Sequence, residues 1–145
     1  MKIGIACDHH GVDVKQQLTN YLEELGYNVK NYGTDDKEMV DYPDFAFKVG
    51  EDVSNGQLDF GILICNTGIG MSIAANKVKG VRCARVLDEE DAKMTRIDNN
   101  ANVIALSGKE EIEKLKNIVK VFLITPHNKC ERHDRRIEKI KNYEC

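Results

Sequence analysis

No stretch of this chain approaches the roughly 20 consecutive apolar residues needed to cross a bilayer. The apolar start, Met1-Lys2-Ile3-Gly4-Ile5-Ala6-Cys7, turns polar at Asp8 and is too short for a signal peptide. These absences predict a cytoplasmic protein with no membrane partner. A basic excess is missing too: 21 Lys and Arg face 24 Asp and Glu, a net charge of -3 at pH 7. Without a dominant basic field, no nucleic-acid partner is expected. Paired cysteines are also absent. Cys7, Cys65, Cys83, Cys130 and Cys145 are odd in number and widely spaced, which does not fit a disulfide framework and predicts reduced thiols. His127, Cys130 and His133 lack the paired Cys-x-x-Cys of a zinc site, so no metal is expected. No internal repeat, low-complexity stretch or linker interrupts the 145 residues, which read as one domain, 1–145.

What is present is an alternation of short apolar runs with amphipathic segments. Lys2 to Cys7 reads as a buried strand, and Val12 to Gly26 as a helix carrying Val14, Leu18, Leu22 and Leu25 at helical spacing. Asn28 to Tyr32 is a second strand. Asp41-Tyr42-Pro43 opens a helix that Asn55-Gly56 ends. Phe60-Gly61-Ile62-Leu63-Ile64-Cys65 is an unbroken apolar run, the pattern of a central parallel strand covered on both faces. Met71 to Lys77 is helical, Val81 to Val86 a fourth strand, Asp88 to Arg96 a helix with acids at its start, and Asn102 to Leu106 a fifth strand. Helices over Lys109 to Leu123 and Arg132 to Tyr143 complete the chain. The alternation predicts a three-layer α/β domain with a parallel five-stranded sheet in the order 2-1-3-4-5. The last helix is too polar for a core and is expected to pack across a surface or onto a partner subunit.

In open parallel sheets, ligands bind beyond the carboxyl ends of the strands, where the strand order reverses. The first strand ends at Asp8-His9-His10 and the third at Cys65-Asn66-Thr67-Gly68-Ile69-Gly70, so the predicted order makes these two ends neighbours. The glycines of the turn allow close backbone approach, and the N–H groups at the helix start suit a phosphate or a developing oxyanion. No Gly-Lys-Ser/Thr follows, so this is not a nucleotide P-loop. A phosphatase nucleophile in a Cys-x5-Arg loop would need arginine at position 71, which is Met71. A thiol at a helix N-terminus can instead take a proton from carbon, because that position favours the thiolate. Arg132 and Arg136 stand four apart on one helix face, a spacing that suits a phosphate dianion.

The segment Gly61 to Lys77, GILICNTGIGMSIAANK, closely resembles the signature of B-type ribose-5-phosphate isomerases and their galactose-6-phosphate isomerase relatives. Asp8-His9, Asp41-Tyr42-Pro43-Asp44, Asn99-Asn100-Ala101-Asn102-Val103 and Arg132-His133-Asp134-Arg135-Arg136 fall in the matching order, so the likeness spans essentially the whole chain. The resemblance implies a Rossmann-like isomerase that needs no metal and no cofactor. It implies a homodimer or homotetramer with active sites at the subunit interface. Its substrate is a small sugar phosphate, ribose 5-phosphate first and a six-carbon relative second. Cys65 then moves the proton between C1 and C2, with Thr67 beside it. Asn66, Gly68, Ile69 and Gly70 hold the enediolate oxygens. Asp8, Tyr42 and Asn99 contact the sugar. His9, Arg132 and Arg136 hold the phosphate, the arginines coming from the neighbouring subunit. Three positions depart from the family pattern. Asp98 stands where a ring-opening histidine is usual, Lys109 replaces a substrate-contacting arginine, and Asn66 replaces a glycine.

Overall fold

The computed structural model describes residues 1–144. Eleven elements follow one another: β1 (Lys2–Cys7), α1 (Val12–Glu24), β2 (Asn28–Asn31), α2 (Tyr42–Ser54), β3 (Phe60–Cys65), α3 (Ile69–Ala75), β4 (Cys83–Arg85), α4 (Glu89–Asn99), β5 (Val103–Ser107), α5 (Ile112–Ile124) and α6 (Glu131–Tyr143). Local chemistry sets several boundaries. Pro43 sits in the first turn of α2, where its missing N–H costs nothing. The Asp88 carboxylate caps α4 by accepting the Asp91 N–H at 2.8 Å.

All strand pairs are parallel, and side chains alternate between the two faces with period two. Ile3, Ile5 and Cys7, Ile62 and Ile64, and Ile104 and Leu106 project to one face, under Leu18 and Leu22 of α1 and Leu115, Ile118 and Phe122 of α5. Ala6, Leu63, Cys65, Val103 and Ala105 project to the other, under Ala46 and Val49 of α2 and Met71 and Ala74 of α3. The second face is built from smaller residues, so its helices come close. A Cβ added to Gly61 would lie 2.7 Å from Val49 Cγ1.

The sheet order is β2-β1-β3-β5-β4, which corrects the expected 2-1-3-4-5. The fifth strand enters between the third and fourth. Burial explains the exchange. Val103 to Leu106 are fully buried and need a neighbour on each side, whereas β4 has three residues, none buried, and takes the edge. β4 is also shorter than expected, because the Arg82 N–H turns to the Asn102 side chain instead of to a strand partner. The neighbouring ends of β1 and β3 survive the correction, and the end of β5 joins them.

Candidate active site

The crevice beyond the strand ends is assembled from three connections. After β1 the chain turns at Asp8, whose N–H donates to the Ile64 carbonyl at 3.1 Å and whose Oδ1 accepts the His10 N–H at 2.9 Å. Asp8 is 5% exposed, so its carboxylate is presented from the crevice wall rather than from solvent. His9 is oriented by the loop before α2: the Val40 N–H approaches its Nδ1 at 3.4 Å. That contact leaves the ring proton on Nε2, a donor for an anionic ligand. Side-chain donor atoms of Asp8, His9 and His10 lie within 4.8 Å of one another, the group among the described residues that could hold a metal ion. His127, Cys130 and His133 do not form such a group. The ring of His127 is taken by the Ile97 carbonyl and by Asp134.

After β3 the chain makes the glycine turn. Gly68 adopts φ 77°, a left-handed conformation open to glycine at little cost, and a Cβ there would sit 3.1 Å from the Leu106 backbone. This turn aims the Gly68 N–H at Cys65 Sγ, 3.1 Å away. The sulfur is therefore a hydrogen-bond acceptor. The Ile69 N–H is taken internally by Thr67 Oγ1 at 3.2 Å, so it is not free for a substrate oxygen as this turn stands. Tyr42 lies against Gly70: a Cβ at Gly70 would be 2.6 Å from the Tyr42 ring. Gly70 thus lets the phenol form a wall beside the turn.

After β5, the connection that leads to Lys109 closes the floor. The Gly108 N–H donates to the Cys65 carbonyl at 2.8 Å, and Ser107 Oγ donates to the Asn66 carbonyl at 2.8 Å. Lys109, exposed, follows at once, its N–H donating to Ser107 Oγ at 3.2 Å. From the sheet edge, Arg85 Nε donates to the Thr67 carbonyl at 2.8 Å. Neither Ser107 nor Arg85 carried a local signal beyond being polar at the end of an apolar run.

Burial pushes the Cys7 thiol up to about 12, against the opposing pull of Lys15. Burial likewise pushes Cys83 up to about 12. Both are neutral thiols across the physiological range.

Asp98, Asn99, Arg132 and Arg136 are not brought to this crevice within one chain. α4 runs down to the start of β5, so Asp98 and Asn99 lie at the amino end of the sheet, while Cys65 pairs with Ser107 at the carboxyl end. Four strand residues separate the two levels, about 13 Å at about 3.3 Å per residue. Arg132 belongs with the far group. Its Nε donates to His133 Nε2 at 3.2 Å, and the same imidazole nitrogen stands 3.5 Å from Asp98 Oδ1. Arg136 is one turn further along α6 and exposed. A concavity of about 700 Å³ lies at that end, lined in part by Arg82, Asn99, Ile140 and Tyr143. Within one chain, Asp98, Asn99, Arg132 and Arg136 therefore lie apart from Cys65.

The ribose/galactose isomerase family pattern matches residues 3–140. The chain belongs to this family. Its members are sugar-phosphate isomerases, and the chain shares their fold closely. Ribose-5-phosphate isomerase B of Clostridium thermocellum superimposes with a TM-score of 0.96 at 43% identity, over 99% of this chain and 97% of that one. The enzyme of Mycoplasma genitalium, solved with bound ribulose 5-phosphate, gives 0.94 at 42% identity, over 99% and 95%. The galactose-6-phosphate isomerase subunit LacB of Clostridium acetobutylicum is 38% identical over 141 residues, 97% of this chain and 82% of that protein. This chain is thus a sugar-phosphate isomerase with similarity to both five-carbon and six-carbon enzymes. Among its described residues, no helix is long and apolar enough to cross a membrane.

Proposed function

We propose that this isomerase interconverts ribose 5-phosphate and ribulose 5-phosphate, with Cys65 as the base. The carrying observation is a thiol at a strand end that accepts a backbone N–H at 3.1 Å beside Asp8 and His9. In the open-chain aldose the thiolate removes the C2 proton, and the electron pair moves through C1 to the aldehyde oxygen to form an enediolate. Return of the proton to C1, with the hydroxyl proton passing from O2 to O1, yields the ketose. Thr67, Asn66, Gly68 and Gly70 surround the enediolate oxygens, Ile69 joins them if its N–H leaves Thr67, and Asp8 and Tyr42 contact the sugar. His9 holds the phosphate, with Lys109 adding a charge that lacks the fork of arginine.

The other half-site is supplied by a second copy. Asn99 reaches the sugar near its reacting end, Arg132 and Arg136 clamp the phosphate, and Asp98 stands at the ring oxygen. Support comes from the placement of these residues away from Cys65 in their own chain, and from exposed apolar side chains on both half-sites. Ile69 and Ile73 of α3 are 47% and 59% exposed, and Ile140 and Tyr143 of α6 are exposed as well. Such surface fits a protein interface, with α6 packing on the partner.

The test is incubation with ribose 5-phosphate and with six-carbon sugar phosphates in deuterated water. Ketose formation from ribose 5-phosphate with deuterium entering the product is expected. Turnover of only a six-carbon phosphate would move the substrate to the LacB-like reading. Absence of both ketose and exchange would leave a non-catalytic binder.

A further inference from the structure

Arg85 closes β4 at the sheet edge, and its Nε reaches the Thr67 carbonyl at 2.8 Å. Its guanidinium has no carboxylate within ion-pair distance among the described residues, so its charge is not spent on a neighbouring acid. The carbonyl it binds and the Gly68 N–H are the two ends of one planar peptide unit. The other end of that unit donates to Cys65 Sγ at 3.1 Å. The chain of contacts therefore runs guanidinium, peptide, sulfur, with no gap.

Two physical consequences follow. A cation on the carbonyl oxygen draws density through the amide and strengthens its N–H as a donor, the cooperative effect of linked hydrogen bonds. The same contact fixes the plane of a peptide that leads into a left-handed glycine, where the backbone could otherwise rotate. Both effects favour negative charge on the sulfur. We propose that Arg85 is a positioning residue that acts through the Thr67–Gly68 peptide to hold Cys65 as a thiolate. The proposal rests on the reading of Cys65 as the proton-moving group, but it can be tested without turnover.

Other charged and titratable groups stand around the crevice: Asp8, His9 and His10 after β1, Tyr42 at the start of α2, and Lys109 after β5. Substitution at Arg85 leaves all of these in place, so a change in the sulfur reports Arg85 itself.

The experiment measures iodoacetamide alkylation of Cys65 by peptide mass spectrometry from pH 5 to 10, in the wild type and in Arg85→Gln, Arg85→Met and Arg85→Lys. Gln keeps a neutral donor, Met removes donor and charge, and Lys keeps the charge without the fork. The Gln and Met profiles are expected to move to higher pH, with alkylation at pH 7 about tenfold slower for a shift of about one unit. The Lys profile falls between these and the wild type, and the acid limb of the isomerase pH profile moves in parallel. A Gln profile coincident with wild type overturns the proposal, and Met is read the same way should Gln fail to fold. An active enzyme whose alkylation ignores Arg85 sinks this inference alone. A protein with the expected alkylation shifts but no isomerisation of any sugar phosphate sinks the reading of function and leaves Arg85 in its role.

Discussion

Cys65 and Cys7 end neighbouring strands, yet they face opposite ways across the sheet. The alternation of the pleat puts Cys7 in the core beneath α1 and α5, and Cys65 on the side of α2 and α3, beneath the glycine turn. Two similar thiols thereby receive different surroundings. Native-state alkylation at pH 8 should spare Cys7, fully buried and pushed up to about 12, and modify Cys65 if it is the base. Labelling of Cys7 at a rate matching Cys65 would contradict this sorting. Replacing Cys65 by Ala should abolish isomerisation while leaving the melting temperature within a few degrees of wild type, because the residue is small and lies at the rim of the core. A second residue-scale device holds the loop after β2 against α1. Lys15 is buried, and its ammonium donates to Asp35 at 2.7 Å and to Asn31 at 2.9 Å. Hydrogen bonds from Lys15, then Asn31, hold the Asp35 carboxyl below the usual carboxylate range. A depressed carboxyl stabilises the fold above its unfolded value near pH 4, and this is lost as pH falls through the lower folded value. Asp35→Ala should therefore cost about 1 kcal/mol at pH 7, a figure reduced for the exposure of Asp35. The difference should fade below about pH 4, as urea denaturation at both pH values would show.

At the scale of elements, the apolar runs and their breaks marked all five strands and six helices, because period and punctuation are local properties of the chain. The run from Phe60 to Cys65 read as a central strand, and the acids from Asp88 to Asp91 as a helix start. Ends moved by a few residues. α3 begins at Ile69, ahead of the expected Met71, because Gly68 can turn left-handed and start the helix early. α5 begins at Ile112, later than the expected Lys109, because Ser107 and Gly108 are committed to the floor of the crevice. Close packing of α2 on the sheet is what sets the height of Tyr42 beside the glycine turn. Gly61→Ala tests that packing. The added methyl would meet Val49 at 2.7 Å and must displace it, an overpacking cost of about 1 to 3 kcal/mol by chemical denaturation. A variant as stable as wild type would mean that α2 can lift away without penalty.

On the scale of the whole molecule, the separation of Cys65 from Asn99 and Arg136 makes assembly the central question. If each site takes its thiol from one copy and its arginine from another, Cys65→Ala and Arg136→Ala proteins should each be inactive. Unfolding and refolding them together should restore roughly a quarter of wild-type activity. Random pairing makes half the dimers mixed, with one intact site of two in each. No recovery on mixing would mean that Cys65 and Arg136 of one chain serve the same site, and full activity of Arg136→Ala alone would mean that this arginine is dispensable. Size-exclusion chromatography of the wild type should show at least a dimer.

Sequence alone determined the alternating architecture, the neighbouring ends of the first and third strands, and the family to which Gly61 to Lys77 points, since each is written in residues close together along the chain. Tertiary structure alone decided that β5 lies inside and β4 at the edge, that Ser107 and Arg85 reach the glycine turn, and that Asp98, Asn99 and the arginines lie apart from it. Those outcomes depend on which surfaces compete for burial, and that competition is settled between segments tens of residues apart.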